Sequence, residues 1–284
     1  MKHPYQDFIS QVEKPGRYLG GEYLAVRKDW DSTPVRVALT FPDLYEIGMS
    51  HMGMKILYSI LNQQEDILVE RAYTPWFDME KALRERNLPI YSLENTRPLQ
   101  DFDILGFSLQ YEMTYTNILT MMDLCSIPIR AEDRDLSFPL IIAGGPCAMN
   151  PEPMSRFIDA FVIGDGEEIF PKLARSYVQL REAGLTKTEI LVELAKLGGI
   201  YCPALYSTRE EEITGFTVVA EPLFEGVPAI VRRTIVENIN DYPYPSDSPV
   251  PLTEAVFDRT TMEIARGCTE GCRFCQAGII YRPV

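Results

Sequence analysis

Between residues 35 and 183 the chain alternates short apolar runs with stretches of helical spacing. Residues 35–41 read as a first strand, with Pro42 and Asp43 opening a loop, and apolar positions across 52–61 recur at the three-to-four spacing of a helix. Residues 67–72 then read as a strand and 76–86 as a helix, 104–109 as a strand and 115–124 as a helix. A fourth strand at 140–143 is broken by Gly144-Gly145-Pro146. A fifth at 160–163 is broken by Gly164-Asp165-Gly166-Glu167-Glu168, before a helix running to about Glu182. Strands of this length alternating with helices predict an α/β fold with a Rossmann-like parallel sheet covered on both faces. Such sheets take ligands beyond the carboxyl ends of their strands.

The flanks are less regular. Residues 1–34 read as a leader with a possible edge strand at 22–26, and 35–183 as the sheet domain. Residues 184–255 read as a connector, starting with an amphipathic helix at 185–197 for which Thr186 or Thr188 is the cap. A hairpin is expected from 199–203 and 215–220, with Glu210-Glu211-Glu212 in its turn, and Pro243, Pro245, Pro249 and Pro251 mark an extended linker. In 256–284, residues 261–265 alternate like a short strand, Arg266-Gly267 breaks it, and 277–281 begins another element.

Composition narrows the class. At 284 residues and 46% hydrophobic content the chain can build a sizeable core. A net charge of −14 argues against a nucleic-acid-binding surface, which would need basic patches. No apolar run reaches the length of a membrane span. Without a signal peptide, a soluble cytoplasmic protein is expected.

Chemistry concentrates near the carboxyl end. Met262-Glu-Ile-Ala-Arg-Gly-Cys268-Thr-Glu-Gly-Cys272-Arg-Phe-Cys275 spaces its thiols as Cys-x3-Cys-x2-Cys. Three thiolates suit a [4Fe–4S] cluster that keeps one iron open, since a fully protein-held cluster takes four. A structural zinc site is the plainer reading, but zinc wants four ligands. The only histidines are His3 and His51, and Cys125, Cys147 and Cys202 are distant in sequence. Disulfides do not fit the absence of a secretory context. Arg266, Arg273 and Arg282 stand close enough in sequence to offset the charge of a cluster, solvated side chains being the favoured reading of Arg273 and Arg282.

The cysteine run resembles the radical SAM (S-adenosylmethionine) superfamily. Gly144-Gly145-Pro146-Cys147 and Gly164-Asp165-Gly166-Glu167, ahead of that run, are similar to the loops of B12-binding domains that precede radical SAM cores. The resemblance is to the B12-binding-domain-containing radical SAM proteins and covers 35–284. It implies that Cys268, Cys272 and Cys275 ligate the cluster and that SAM chelates the open iron, where it is cleaved to a carbon radical. It also implies that Ser108, Gly144, Gly145, Pro146, Gly164, Asp165, Gly166 and Glu167 line a cobalamin. Phe274 matches the aromatic position near the adenine of SAM, a packing residue under the loop being the other reading. An electron donor such as flavodoxin or ferredoxin and an unknown substrate are the implied partners, with methyl transfer or another radical reaction as the outcome.

There are departures. Corrinoid methyltransferases carry Asp-x-His-x-x-Gly after the first strand, where this chain has Asp43-Leu-Tyr-Glu-Ile-Gly48; His51 reads as a helix-entry residue. A sheet domain that only packs on the core is thus the alternative to a corrinoid site. Residues 256–284 would supply only the first strand and cluster loop of a truncated barrel, so the chain is expected to be the amino-terminal part of a larger protein, without turnover alone. Two other functions stay open: a methylthiotransferase-like enzyme modifying RNA or protein, and a non-catalytic module with a structural cluster.

Overall fold

The structure, a computed structural model, describes residues 2–281 except 243, 258 and 260. Its centre is a six-stranded sheet in the order β2-β1-β3-β4-β5-β6. Strands β1 (Val35–Phe41), β2 (Ile67–Tyr73), β3 (Ile104–Ser108), β4 (Leu140–Gly144) and β5 (Ala160–Val162) run parallel. Strand β6 (Ile200–Tyr201) pairs antiparallel with β5. The first five follow the 2-1-3-4-5 order of a doubly wound sheet, which reverses direction between β1 and β3.

The helices are α1 (Tyr45–Ser50), α2 (Met52–Asn62), α3 (Phe77–Arg86), α4 (Tyr115–Leu124), α5 (Ile169–Glu182), α6 (Lys187–Ala195) and the short α7 (Ala277–Ile280). Every position of β2, and all of β1 but Arg36, is buried, as strands covered on both faces require. Helix starts follow local chemistry. The His51 imidazole caps α2, its Nδ1 accepting from the Met54 N–H at 3.3 Å. Thr186 caps α6 in a reciprocal box with Glu189, whose carboxylate accepts the Thr186 N–H at 2.8 Å.

Four sequence expectations change. The amino-terminal residues are not a separate leader in packing: Tyr5, Phe8, Ile9 and Val12 are buried in the same core. Residues 22–26 form no strand, because Leu24 takes a positive φ of 68° that breaks an extended run. The segment 199–203 joins the main sheet as β6, and the hairpin pairs β7 (Tyr206–Glu210) with β8 (Thr217–Pro222). Buried Ile200 and Tyr201 gain more against Val162 and Phe161 than in an exposed hairpin. Residues 261–265 form no strand, with Met262 and Ile264 outward and Glu263 half-buried.

The proline-rich linker is strapped down. Val250 N–H donates to Tyr23 O (2.9 Å), Leu252 N–H to the Tyr45 hydroxyl (3.0 Å) and Phe257 N–H to Ser50 Oγ (3.2 Å). These bonds lead the chain along α1 toward the carboxyl ends of the strands. No helix among the described residues is long and apolar enough to cross a membrane.

Candidate functional site

A cavity of about 320 Å³ lies beyond the carboxyl ends of the strands, at the switch between β1 and β3. Leu39, Phe107, Ile142 and Val162 from the strands form its floor, and Ile56 and Leu57 of α2 form one wall. The loops read from the sequence form its rim: Ser108, Gly144, Gly145, Pro146, Gly164, Asp165, Gly166 and Glu167 all line it. Glu263, Arg266 and Gly267, just before the first clustered cysteine, and Ile280 and Tyr281, just after the last, also line it. The cysteine loop therefore leaves and re-enters the cavity wall.

The rim glycines divide by role. Gly145 has φ +102°, and a Cβ there would lie 2.8 Å from Leu109 O. Gly164 has φ +105°, and its Cβ would lie 2.2 Å from Thr234 O. Both serve close approach of the chain to itself. At Gly164 the neighbour is the segment around Thr234, whose N–H donates to Ile163 O (2.9 Å) and whose carbonyl accepts the Asp165 N–H (3.0 Å). A Cβ on Gly144 would make only ordinary contacts, 3.7 Å from Val162. Gly144 is thus a rim glycine that could carry a methyl group against Val162 without moving the backbone.

The polar groups are largely committed within the chain. Ser108 Oγ accepts from Gln110 Nε2 at 2.7 Å. His51 lines the cavity as well as capping α2; burial lowers its pKa, against a smaller opposing hydrogen bond with Gln110. Arg266 is committed to three carboxylates. Its Nη1 lies 3.2 Å from Asp165 Oδ1, its Nε 2.7 Å from Glu263 Oε1, and its Nη2 pairs with Glu167. The charge-offsetting role expected of Arg266 is corrected, since its guanidinium is spent on these carboxylates. Arg273 is exposed, and Arg282 lies outside the described residues.

The two sets of cysteines differ in environment. Cys125, Cys147 and Cys202 are buried, and burial pushes the Cys125 thiol up to about 12. Cys202 donates to Leu191 O at 3.7 Å. Cys268 and Cys275 are half-buried and Cys272 is exposed. Among the described residues, no three His, Cys, Asp or Glu side chains are gathered as around a metal ion, so the three sulfurs do not meet at one point. The donor set itself fits a cluster: three accessible thiols share one loop, with the cluster's own formation gathering them. Phe274 is 92% exposed, so it is not packed beneath the loop.

Sequence reasoning missed Gln110, Arg233, Thr234 and Tyr281 as parts of this site. Thr234 has no motif to announce it; only the pairing with Gly164 makes it structural.

The fold and this site define a doubly wound α/β domain whose strand-end cavity is bordered by a three-cysteine loop. Residues 53–203, just over half of the chain, match the family described as radical SAM proteins, N-terminal, and the chain belongs to that family. It is 26% identical over 248 residues to an uncharacterized protein of Methanocaldococcus jannaschii, a match covering 87% of this chain and 42% of that protein. The chain thus spans under half the length of the curated relative it matches. Among solved structures it is similar to the radical S-adenosylmethionine methyltransferase TsrM from Kitasatospora setae, described with tryptophan and a SAM analogue bound. That likeness covers 62% of this chain and 28% of the other at 17% identity, with a TM-score of 0.36.

Proposed function

We propose that this chain forms the amino-terminal part of a radical SAM enzyme in which Cys268, Cys272 and Cys275 hold a [4Fe–4S] cluster and the strand-end cavity takes a corrinoid. The observation carrying this reading is the border shared by the cysteine loop and the cavity, with Gly267 and Ile280 in the lining on either side of the cysteines. A cluster held there would supply one electron to the sulfonium of SAM. The chain's own residues bind and orient. Three thiolates leave one iron position for a ligand that is not protein. Gly144 lines the rim without a side chain, and the apolar floor of Leu39, Phe107, Ile142 and Val162 excludes water from whatever the cavity holds. Exposed Phe274 is available to stack on a nucleoside base.

The test uses the whole chain, purified and reconstituted without oxygen. About four irons and four acid-labile sulfides per chain are expected, lost on Cys268→Ser, Cys272→Ser or Cys275→Ser and kept on Cys125→Ser. Stoichiometric zinc without sulfide would refute the cluster. Near-equimolar retention of hydroxocobalamin after desalting, reduced by Gly144→Val, is expected of the cavity. No retention would leave the cluster reading standing and make the sheet domain a packing module.

A further inference from the structure

We propose that Arg266 is a positioning residue that docks the cysteine loop onto the acidic rim of the cavity, so that an occupied cavity and an assembled cluster stabilise one another. Only the identity of the two cofactors rests on the function proposed above; the docking needs neither. Arg266 stands two residues before Cys268 and gathers carboxylates from two parts of the chain. Glu263 is local, while Asp165 and Glu167 belong to the loop after β5, about a hundred residues earlier.

This is not an incidental surface pair. The Glu167 side chain is 5% exposed and that of Arg266 22%. A carboxylate so enclosed is costly without a counter-charge. Its neighbour is also held in place: Asp165 Oδ2 accepts the Val236 N–H at 2.8 Å, and the Asp165 carbonyl accepts the Thr234 hydroxyl at 2.6 Å. The acidic rim is therefore a prepared seat for a guanidinium.

The other end of the loop is anchored independently. Ile280 is buried, and its carbonyl accepts from Arg233 Nη1 at 2.7 Å. Between these anchors no thiol is buried. Gathering three sulfurs requires ordering a loop whose ends are fixed to the cavity wall. A ligand filling the cavity touches the rim and both anchors and so favours the docked arrangement. Coupling between two bound states is reciprocal, so an assembled cluster must favour the filled cavity by the same factor.

The first test is amide hydrogen exchange on the whole chain with no metal or cofactor added. Wild type, Arg266→Gln, Glu167→Arg and the double charge swap Arg266→Glu with Glu167→Arg are compared. Exchange in 262–267 and 277–281 is expected to be at least tenfold faster in Arg266→Gln and Glu167→Arg and to recover in the double swap. Equal rates in wild type and Arg266→Gln, or no recovery in the swap, would overturn the docking. Faster exchange through β1–β5 as well would also overturn it, showing a general structural support instead. The second test follows iron release to a chelator from the reconstituted chain, with and without hydroxocobalamin. At least fivefold slower release with cobalamin is expected in wild type, falling toward no difference in Arg266→Gln. Equal release with cobalamin demonstrably bound would overturn the coupling. Failure to bind cobalamin counts against the corrinoid alone, and hydrogen exchange still decides the docking.

Discussion

Gly164→Ala is the substitution that best separates backbone from ligand at the cavity rim. A methyl group there would lie 2.2 Å from Thr234 O and 2.7 Å from Thr234 N, at a φ of +105°. Holding an L-residue in so sparsely populated a region costs about 1–3 kcal/mol. Thr234 must also retreat, which threatens its backbone bonds with Ile163 (2.9 Å) and Asp165 (3.0 Å) and its hydroxyl bond to the Asp165 carbonyl (2.6 Å). At about 1 kcal/mol each, two of these bring the total to roughly 3–5 kcal/mol. For a chain of 284 residues, at about 2.1 cal/mol/K of unfolding entropy per residue, that lowers Tm by roughly 5–8 °C. Gly144→Ala is the control: its φ is not positive and its Cβ would meet Val162 at 3.7 Å, so stability should move by less than about 1 kcal/mol. Urea denaturation followed by circular dichroism measures both. A Gly164→Ala chain as stable as wild type, or a Gly144→Ala chain equally damaged, would refute the division of roles. The comparison also governs ligand tests, because loss of a cofactor from a Gly164 variant would report a broken strap.

Three further outcomes follow from the packing. Arg71→Met should cost about 3–5 kcal/mol in urea denaturation, because it strands the buried carboxylates of Glu94 and Glu22, now 2.6 and 3.3 Å from Arg71; a loss below about 1 kcal/mol would contradict it. Burial raises the Glu46 pKa, but Arg17 at 2.8 Å and Lys14 at 3.0 Å outweigh it and hold the carboxyl below its usual value. Its contribution is therefore present above pH about 4.5 and is lost as pH falls through the lower folded value. Glu46→Gln should weaken the fold by about 1–3 kcal/mol at pH 7 and progressively less in acid, and a penalty that grew on acidification would oppose this assignment. Native thiol labelling of the metal-free chain should modify Cys268, Cys272 and Cys275 and spare buried Cys125, Cys147 and Cys202 until urea is added; rapid labelling of all six would contradict the burial.

The parallel sheet was legible because β1 to β5 are short apolar runs bounded by proline, glycine and helical spacing, a signal local to each strand. The cavity rim was legible for the same reason, since a sheet of this order puts its loops at one end. What escaped depends on distant pairing. The alternation at 261–265 is real, yet its half-buried member is Glu263, drawn to Arg266, while Met262 and Ile264 point outward. Period-two patterning tells which positions share a face and not which face is inside. Likewise, 199–203 and 215–220 each looked like strands, but their partners are β5 and β7, choices made by tertiary burial.

The acidic rim carries the more general point. Asp165 and Glu167 resemble cofactor-loop residues, and acidic side chains between glycines invite assignment to a ligand. Here each already has a guanidinium, and Asp165 also accepts a backbone N–H. A carboxylate satisfied by its own chain has little left to offer a bound group, and freeing either one would take from Arg266 one of its three carboxylate partners. A ligand in the cavity would therefore meet backbone, the Ser108 hydroxyl hydrogen and the apolar floor before these carboxylates. Asp165→Asn and Glu167→Gln should consequently act on the cysteine loop first. Their expected signature is faster hydrogen exchange at 262–267 in the metal-free chain, before any ligand is present. Loss of ligand affinity with unchanged exchange there would instead return the two carboxylates to the ligand.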